Sequence, residues 1–372
     1  MSVKSEPIGL YIHIPFCAAK CGYCDFYSLT ADDALMDAYL AAVCRDLALW
    51  SQRLAGRKAH TLYLGGGTPI LFGAQRLCKL LAACVHNFGL EGAEITLEAN
   101  PNHTDYDTLC ALKHAGYNRI SFGVQSAVDA ELLALTRSHT VLQARDAILC
   151  AQRAGFTNIS ADLMLGIPHQ TRDSAKRSAR FLCELGVQHI SAYLLKIEEG
   201  TPFYARADTL SLPDEDAVAA LYLDMVQECS RLGYHQYEIS NFARDDMACR
   251  HNLLYWDCRE YLGIGPAAHS FLTGERLAYP ADIGQYLTGG QPAKTDDGGG
   301  FEEYVMLRLR LSEGLMFADA RARYPDDTDT ARLTAKAAPL AAQNLCVCDD
   351  TGIRLTARGM LFSNYCIGEI LF

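Results

Sequence analysis

The sequence predicts an α/β protein whose main unit is a partial (β/α)6, TIM-like barrel with a helical, winged-helix-like addition at its C-terminal end. Short apolar segments recur about every thirty residues, and helical patterns separate them. Strands that alternate with helices indicate βαβ units and a parallel sheet. Strands that are apolar along nearly their whole length indicate burial on both faces, as in a barrel.

Six strands are predicted, and polar residues stand at their C-terminal ends. The strands are 8–14, 61–65, 94–99, 119–124, 158–165 and 189–195, with helical patterns such as 35–50 and 72–88 between them. Three cysteines follow the first strand, GGGTP (65–69) follows the second, and Glu98, Gln125 and Asp162 lie in or at the ends of later strands. Because the C-terminal ends of parallel strands form one face of such a fold, we expect a single site there.

The chain divides into three predicted units. Residues 1–210 form the barrel, and residues 211–290 form an extension that carries the motif HNLLYW. Residues 300–372 form a small winged-helix-like domain. The Gly-rich, polar segment 288–300 is typical of a linker between the last two units.

Composition narrows the classes of function. The net charge of −11 disfavours general binding to nucleic acid, because an acidic surface repels phosphates. The sequence shows neither the apolar core of a signal peptide nor an uncharged stretch long enough to span a bilayer. The fifteen cysteines are odd in number, and most stand singly in apolar surroundings, which is typical of free thiols. These features predict a cytoplasmic protein with reduced cysteines and no nucleic-acid partner.

The three cysteines after the first strand predict a metal centre. Cys17, Cys21 and Cys24 are spaced C-x3-C-x2-C. Three thiolates on one loop can bind three irons of a [4Fe–4S] cluster and leave the fourth iron open. The alternatives are a zinc site completed by a remote His or Cys, and ordinary core cysteines. The aromatic Tyr23 directly before the last cysteine, and the glycine-rich turn after the next strand, favour the cluster.

The motifs resemble those of a known family over nearly the whole chain. LYIHIPFC, GGGTP, EANP, SFGVQS, DLMLGIP, YEISNFA and HNLLYW are together similar to the radical S-adenosylmethionine (SAM) superfamily, and in particular to its HemN/HemW family. The resemblance implies a [4Fe–4S] cluster whose open iron is chelated by SAM. It also implies cleavage of SAM to a 5′-deoxyadenosyl radical.

The resemblance implies a role for each matching position. Cys17, Cys21 and Cys24 hold the cluster; Tyr11, Tyr23, Gly66, Gly67, Thr68 and Glu98 contact SAM; Gln125, Arg137 and Asp162 match residues that hold a second SAM in the oxidase branch. These residue types are chemically suited to bind SAM. Glycines expose backbone groups to a zwitterion, carboxylates accept hydrogen bonds from ammonium or hydroxyl groups, and arginine binds carboxylates. Two other interpretations stay open. The glycines can form only a tight turn, and Glu98 and Asp162 can be ion-pair partners of Arg119 or Arg137.

Two departures separate the branches of the family. The oxygen-independent coproporphyrinogen III oxidase branch has a fourth cysteine where this chain has Phe26, and it has an N-terminal extension before the first strand. Both departures match the heme-chaperone branch. The predicted function is therefore a heme chaperone rather than a porphyrinogen decarboxylase. The alternatives are the oxidase, against which Phe26 argues, and a radical SAM enzyme acting on RNA, against which the acidic balance argues.

His251, in the motif HNLLYW, is the candidate heme ligand, with Cys249 and Cys258 as further candidates. A neutral imidazole binds heme iron, and Tyr255 and Trp256 offer apolar faces to a porphyrin. The other interpretation is that His251 is a hydrogen-bonded core residue. The resemblance implies heme and a heme-accepting protein of unknown identity as partners. It leaves open a homodimer and a peripheral membrane contact through that acceptor.

Overall fold

The computed structural model describes residues 6–372, and it contains all six predicted strands. They are β1 Ile8–Ile14, β2 Ala59–Gly66, β3 Glu94–Ala99, β4 Arg119–Gln125, β5 Ile159–Leu165 and β6 His189–Leu194. The helices between them are α1 Asp33–Arg53, α2 Ala74–Phe88, α3 Tyr106–Ala115, α4 Asp129–Ala134, α5 Val141–Arg153 and α6 Arg172–Glu184. The alternation that the apolar pattern predicts is therefore confirmed.

Strands β1 to β6 pair in parallel and in chain order. The register places Tyr11 beside Tyr63 and Asp162 beside Ser191. Because neighbours in the chain are neighbours in the sheet, the C-terminal ends of all six strands lie along one edge. Residues of β2 to β6 line one common cavity, which shows that the sheet curves into a partial barrel.

Local signals fix where the helices begin. Asp32 caps α1 by accepting a hydrogen bond from the Leu35 backbone N–H at 2.9 Å. Thr140 and Thr171 begin α5 and α6 with capping boxes, in which the cap and the third helical residue satisfy each other's backbone N–H. The apolar sides of these helices pack against the strands and complete one large core.

Residues 211–290 extend the barrel sheet at both edges. They contain α7 Glu215–Arg231, β7 His235–Gln236, β8 Asn241–Ala243, α8 Arg250–Trp256, β9 Tyr261–Ile264, β10 His269–Leu272, β11 Glu275–Ala278 and α9 Ile283–Leu287. Strand β8 pairs antiparallel with β6, and β9 pairs parallel with β1.

The prediction of a linker over 288–300 is wrong in its central part. This segment contains β12 Ala293–Asp297, which pairs antiparallel with β11 and is the edge strand of a twelve-stranded sheet. Every residue of β12 is exposed, and Lys294 Nζ lies 3.0 Å from Glu275 and 2.7 Å from Asp297. A charged edge strand protects a sheet from pairing with other chains, but its sequence resembles that of a polar loop.

The C-terminal unit has its own hydrophobic core. It contains α10 Phe301–Arg308, β13 Leu315–Met316, α11 Phe317–Arg323, α12 Thr330–Ala342, β14 Cys346–Asp349, β15 Gly352–Leu355, α13 Ala357–Leu361 and α14 Ser363–Leu371. The three strands form a small antiparallel sheet in the order β13-β15-β14. Residues 300–372 thus form an additional C-terminal unit of helices and a small antiparallel sheet, and its winged-helix-like character stays a prediction.

Helix α8, which carries HNLLYW, lies across the amino end of the barrel. The first residue of β3, Glu94, accepts hydrogen bonds from the backbone N–H groups of Arg250 and His251, both at 3.1 Å. The His251 side chain reaches Thr61 on β2. The barrel is therefore closed at this end, and its opening lies at the C-terminal ends of the strands.

The structure bears on two further sequence predictions. All fifteen cysteines lie among the described residues, and each is a free thiol. Within residues 6–372, no helix combines the length and the apolar character needed to cross a bilayer.

Candidate functional site

One cavity of about 440 Å³ at the C-terminal ends of the strands gathers most of the predicted site residues. Its wall includes Cys17, Cys21, Tyr23, Cys24, Gly66, Gly67, Thr68, Glu98, Gln125, Arg137 and Asp162. Tyr11 and His251 are not part of this wall. Most of the predicted site residues therefore lie together at this face of the sheet. They are as much as 145 positions apart in the sequence, from Cys17 to Asp162.

The loop that carries the three cysteines is fixed at its start and its middle. The Cys17 backbone N–H donates to the Leu29 carbonyl at 3.0 Å. In the middle of the loop, the Gly22 N–H donates to Thr136 Oγ1 at 2.7 Å, and the Gly22 carbonyl accepts from the Phe203 N–H at 2.8 Å. These bonds tie the loop to the segments after β4 and β6 and hold the thiols at the cavity.

The three cysteines lie on the wall of one cavity. Within residues 6–372, no three His, Cys, Asp or Glu side chains form a group that could hold a metal ion. A [4Fe–4S] cluster takes each thiolate on a different iron, so its ligands need not converge on one point.

Polar groups lie beside two of the thiols. Thr68 Oγ1 is 3.6 Å from Cys17 Sγ, and Arg137 Nη1 is 3.4 Å from Cys21 Sγ. A guanidinium stabilises a neighbouring thiolate, which is the form that binds metal. Burial raises the pKa of Cys24, and a backbone hydrogen bond at Phe26 opposes that effect.

The glycine turn after β2 packs closely against its neighbours at the cavity wall. Gly66 has φ of +110°, and a Cβ there would lie 2.5 Å from the His13 ring. A Cβ on Gly67 would lie 2.8 Å from the backbone N and O of Phe16. Larger residues are therefore excluded, and the turn forms part of the wall of a binding cavity.

Glu98 is the buried carboxylate of the site. The Tyr63 hydroxyl donates to Glu98 Oε1 at 2.7 Å, and the Gly66 N–H donates to Oε2 at 3.1 Å. Burial raises the pKa of Glu98 to about 7, although both hydrogen bonds oppose the shift. The carboxylate keeps lone pairs that can accept from an ammonium or hydroxyl group of a ligand.

Sequence reasoning missed two supporting residues, Tyr63 and Asn100. Tyr63 stands two positions before Gly65, so the alternation of a strand places it on the same face as the glycine turn. Asn100 belongs to the EANP motif and links Thr68 to Arg137. Its Nδ2 donates to Thr68 Oγ1 at 3.1 Å, and its Oδ1 accepts from Arg137 Nη2 at 2.8 Å.

Gln125 stands at an irregularity in the sheet. Its φ is +66°, and the pairing of β4 with β5 shifts register between Gly123 and Gln125. Arg137 Nη2 donates to the Gly123 carbonyl at 2.8 Å and occupies this break. Backbone conformations of this kind are costly and concentrate where a ligand is held.

Asp162 lies on β5 at the wall of the same cavity. Burial raises its pKa, while a hydrogen bond from Ser191 and the charges of Arg119 and Arg137 oppose the shift. Among the ion pairs of residues 6–372, none includes Glu98 or Asp162. Neither Glu98 nor Asp162 therefore forms an ion pair with Arg119 or Arg137.

The structure disagrees with His251 as a heme ligand. Its Nδ1 is hydrogen-bonded to Thr61 Oγ1 and its Nε2 to the Tyr255 hydroxyl, both at 2.8 Å. The side chain is 1% exposed, and burial lowers its pKa to about 3. Neither nitrogen is free to bind iron, so the alternative interpretation as a core histidine fits better.

Tyr11 lies behind the cavity wall. Its ring is 6.3 Å from that of Tyr63, and its hydroxyl is 3.0 Å from His13 Nδ1. His13 is buried and also contacts the Tyr27 carbonyl at 2.9 Å, which agrees with its interpretation as a residue of the barrel interior. Tyr11 thus supports Tyr63 and the glycine turn from inside the barrel.

The cavity opens through a partly apolar mouth. Phe26 is 61% exposed, and Tyr193 and Leu194 at the end of β6 are also exposed; we call these three residues the mouth patch. Lys20 and Lys196 line the same opening, and Lys196 Nζ is 2.6 Å from Glu198.

Comparison with known proteins identifies similar sequences and similar solved structures. The Radical SAM superfamily profile matches residues 11–182, and the HemN C-terminal domain profile matches residues 301–362. The heme chaperone HemW of Mycobacterium tuberculosis is 36% identical over 85% of both chains. The heme chaperone HemW of Bacillus subtilis is 32% identical over 97% of this chain and 98% of its own.

The solved structure of the coproporphyrinogen III oxidase HemN from Escherichia coli superposes with a TM-score of 0.83, covering 99% of this chain and 91% of that one. The sequence identity is 23%, so this likeness concerns the fold.

Proposed function

Because the chain belongs to the radical SAM superfamily and, within it, to the HemW family, we propose that it is a heme chaperone that binds heme and passes it to an acceptor protein. Membership of the superfamily implies a [4Fe–4S] cluster and SAM. The proposal of heme rests on the names of the sequence relatives and on the chemistry of the cavity mouth.

The mouth patch is the observation that carries the proposal. Large exposed apolar side chains at the entrance of a polar cavity indicate a surface that contacts a ligand or a partner. A porphyrin offers a wide apolar face, which the rings of Phe26 and Tyr193 suit, and two propionates, which Lys20 and Lys196 suit. A ligand held at the rim also stays within reach of an acceptor.

In this proposal, Cys17, Cys21 and Cys24 hold the cluster, and Arg137 donates a hydrogen bond to the sulfur of Cys21. The bare backbone at Gly66 and Gly67, together with the Glu98 carboxylate, positions SAM. A bound cluster would supply one low-potential electron to SAM. Gln125 and Asp162 line the same cavity, where they can hold polar groups of a second molecule.

We place the protein in the cytoplasm, where fifteen free thiols stay reduced. In this proposal, the acceptor protein takes heme from the mouth of the cavity. Because His251 has no free nitrogen, heme binding in this proposal does not depend on it.

The test is a heme titration of the anaerobically reconstituted protein, followed through the Soret band. Wild type should bind heme, and Phe26→Ser should bind it at least about threefold more weakly, through loss of ring contact. Leu133→Ser is the matched control, because Leu133 is 77% exposed but lies outside the cavity wall. Coproporphyrinogen turnover is measured in parallel. Decarboxylation by wild type, without heme binding, would replace the proposal with the oxidase function.

A further inference from the structure

Asn100 joins two of the residues that contact the three-cysteine loop, and the proposed function gives it no role. It directly follows β3 and lines the cavity. It also precedes the short helical turn Pro101–His103, where an asparagine side chain ordinarily accepts hydrogen bonds from backbone N–H groups. Within residues 6–372, the Asn100 side chain makes no such capping bond. The side chain is therefore directed to other partners.

The side-chain amide of Asn100 lies between Arg137 and Thr68. Its Oδ1 accepts from Arg137 Nη2 at 2.8 Å, and its Nδ2 donates to Thr68 Oγ1 at 3.1 Å. Arg137 Nη1 lies 3.4 Å from Cys21 Sγ, and Thr68 Oγ1 lies 3.6 Å from Cys17 Sγ. One continuous network of hydrogen bonds thus connects two of the three thiols through three side chains.

The hydrogen bonds of this network run in one direction. A guanidinium can only donate, so the Asn100 oxygen faces Arg137 and the Asn100 amide nitrogen faces Thr68. The Thr68 hydroxyl accepts from that nitrogen, and its own hydrogen stays free to point at Cys17 Sγ. Both ends of the network therefore donate to sulfur. Asn100 thus orients a hydroxyl group that could otherwise turn either way.

The residue before Arg137 is also bound to the cysteine loop. Thr136 Oγ1 accepts from the Gly22 N–H at 2.7 Å. This residue and Arg137 thus contact two consecutive positions of the loop, Gly22 and Cys21. Thr136 has φ of +58°, a left-handed conformation that is costly for a β-branched residue and persists only where surrounding contacts hold it. The approach of Arg137 to Cys21 is therefore fixed by the segment that carries it.

We propose that Asn100, through Thr68 and Arg137, sets the reduction potential of the cluster. Hydrogen bonds to the sulfur atoms of an iron–sulfur cluster are among the factors that fix this potential. Reduction adds one electron from an external reductant and no proton, so the ligand sulfurs take up part of the added negative charge. Donors that already point at two of these sulfurs stabilise that charge. Asn100 is a positioning residue in this role, because it acts on sulfur only through its two partners.

The test is a reductive titration of the anaerobically reconstituted full chain with dithionite and viologen mediators. SAM is left out, because Thr68 and Arg137 are also expected to contact it. The reduced cluster is measured by electron paramagnetic resonance, and the iron content of each variant is measured beside it. The inference rests on the cluster of the proposed function and not on heme. An absence of the cluster in wild type would overturn both, whereas an absence of heme binding would overturn the proposed function alone.

Asn100→Asp should give the largest shift. The new carboxylate accepts from Arg137 and also from the Thr68 hydroxyl, whose hydrogen then turns away from Cys17, and it adds a negative charge to the network. The midpoint should move to a more negative potential. At the wild-type midpoint, the ratio of reduced to oxidised cluster should fall at least about tenfold.

Asn102→Asp is the matched control for this change of charge. Asn102 lies two positions from Asn100 but outside the cavity wall, and its Nδ2 donates to Ser138 Oγ at 2.8 Å. The same conversion of an amide to a carboxylate at this position should leave the ratio at the wild-type value.

Two substitutions at Thr68 test the contact with sulfur itself. Thr68→Val keeps the approximate shape of the side chain and removes the hydroxyl, so the ratio should fall about threefold, the effect of one hydrogen bond. Thr68→Ser keeps the hydroxyl and should stay close to wild type.

Wild-type ratios in both Asn100→Asp and Thr68→Val, at full iron content, would overturn the inference. An equal fall in Asn100→Asp and Asn102→Asp would also overturn it, because the effect would then be one of net charge. Loss of the cluster in both Asn100→Asp and Thr68→Val would show that the network is needed to hold iron rather than to set the potential. If only one of these two variants loses the cluster, the ratio in the other decides.

Discussion

The two ends of the barrel differ in whether their polar side chains already have hydrogen-bond partners in the protein. At the amino end, α8 closes the barrel, and Glu94 and His251 have protein partners at every hydrogen-bonding atom that faces the interior. At the carboxyl end, Cys17, Cys21 and Cys24 are free thiols, and Glu98 keeps unused lone pairs. Satisfied groups hold the fold together, and unsatisfied groups are available to ligands.

This difference changes how the HNLLYW motif is understood. His251 belongs to the helix that closes the amino end of the barrel. Its ring also stacks on the ring of Tyr63 at 5.3 Å, and Tyr63 donates a hydrogen bond to Glu98. The asparagine of the motif faces the cavity. Neighbouring residues of one motif thus serve the structure and the site separately.

The largest expected effect is at the carboxyl end. Cys21→Ala should abolish the cluster, because two thiolates on this loop cannot hold it, whereas wild type should contain about four irons per chain. Cys84→Ala is the control, since Cys84 is fully buried in α2 away from the cavity. Iron and sulfide analysis after anaerobic reconstitution is the measurement. Stoichiometric zinc in place of iron in wild type would contradict the cluster.

The next effect tests the amino end. His251→Ala should lower the free energy of unfolding by about 2–4 kcal/mol, because it leaves a cavity and removes the partners of Thr61 and Tyr255. Denaturant unfolding measures the loss. Heme bound to the folded variant should keep the wild-type Soret position, and a shifted band would restore His251 as a heme ligand.

A smaller effect concerns Glu98. Glu98→Gln should weaken SAM binding by about 1–3 kcal/mol, the value of a charge-assisted hydrogen bond, while Glu91→Gln on the surface should not change it. The dissociation constant, from equilibrium dialysis of the reconstituted protein, is the measurement.

The same residue predicts a pH dependence. Since the pKa of Glu98 is raised to about 7, the carboxylate is charged above that pH and protonated below it. SAM should therefore bind more weakly as the pH falls through about 7, and this part of the dependence should be absent in Glu98→Gln. The free energy of unfolding depends on pH in the opposite direction. Between the ordinary pKa of 4.5 and the raised pKa of about 7, the folded state holds a proton on Glu98 that the unfolded state has lost. The contribution of Glu98 to stability therefore falls as the pH rises through this range.

The fold was largely predictable, because continuous apolar strands such as 8–14 and 189–195 are visible without knowledge of their neighbours. β12 was not, since the exposed residues of an edge strand need no apolar pattern. At the site, the cysteines and the glycine turn are local motifs. The partners of His251 lie far away in the sequence, so only the structure reveals them.

The smallest expected effect is at Phe26, where this chain departs from the cysteine of the oxidase branch. Phe26→Cys should change the free energy of unfolding by no more than about 0.5 kcal/mol, because the side chain is 61% exposed and lies at the rim. The iron content should stay at about four per chain, since the three thiols already supply the cluster ligands.

The Phe26→Cys variant should bind heme more weakly without gaining porphyrinogen decarboxylation, because a cysteine at the rim does not create the enclosure that such a reaction needs. Thermal unfolding, iron analysis and anaerobic turnover of coproporphyrinogen measure the three quantities. Measurable decarboxylation would mean that this one rim position separates the two activities.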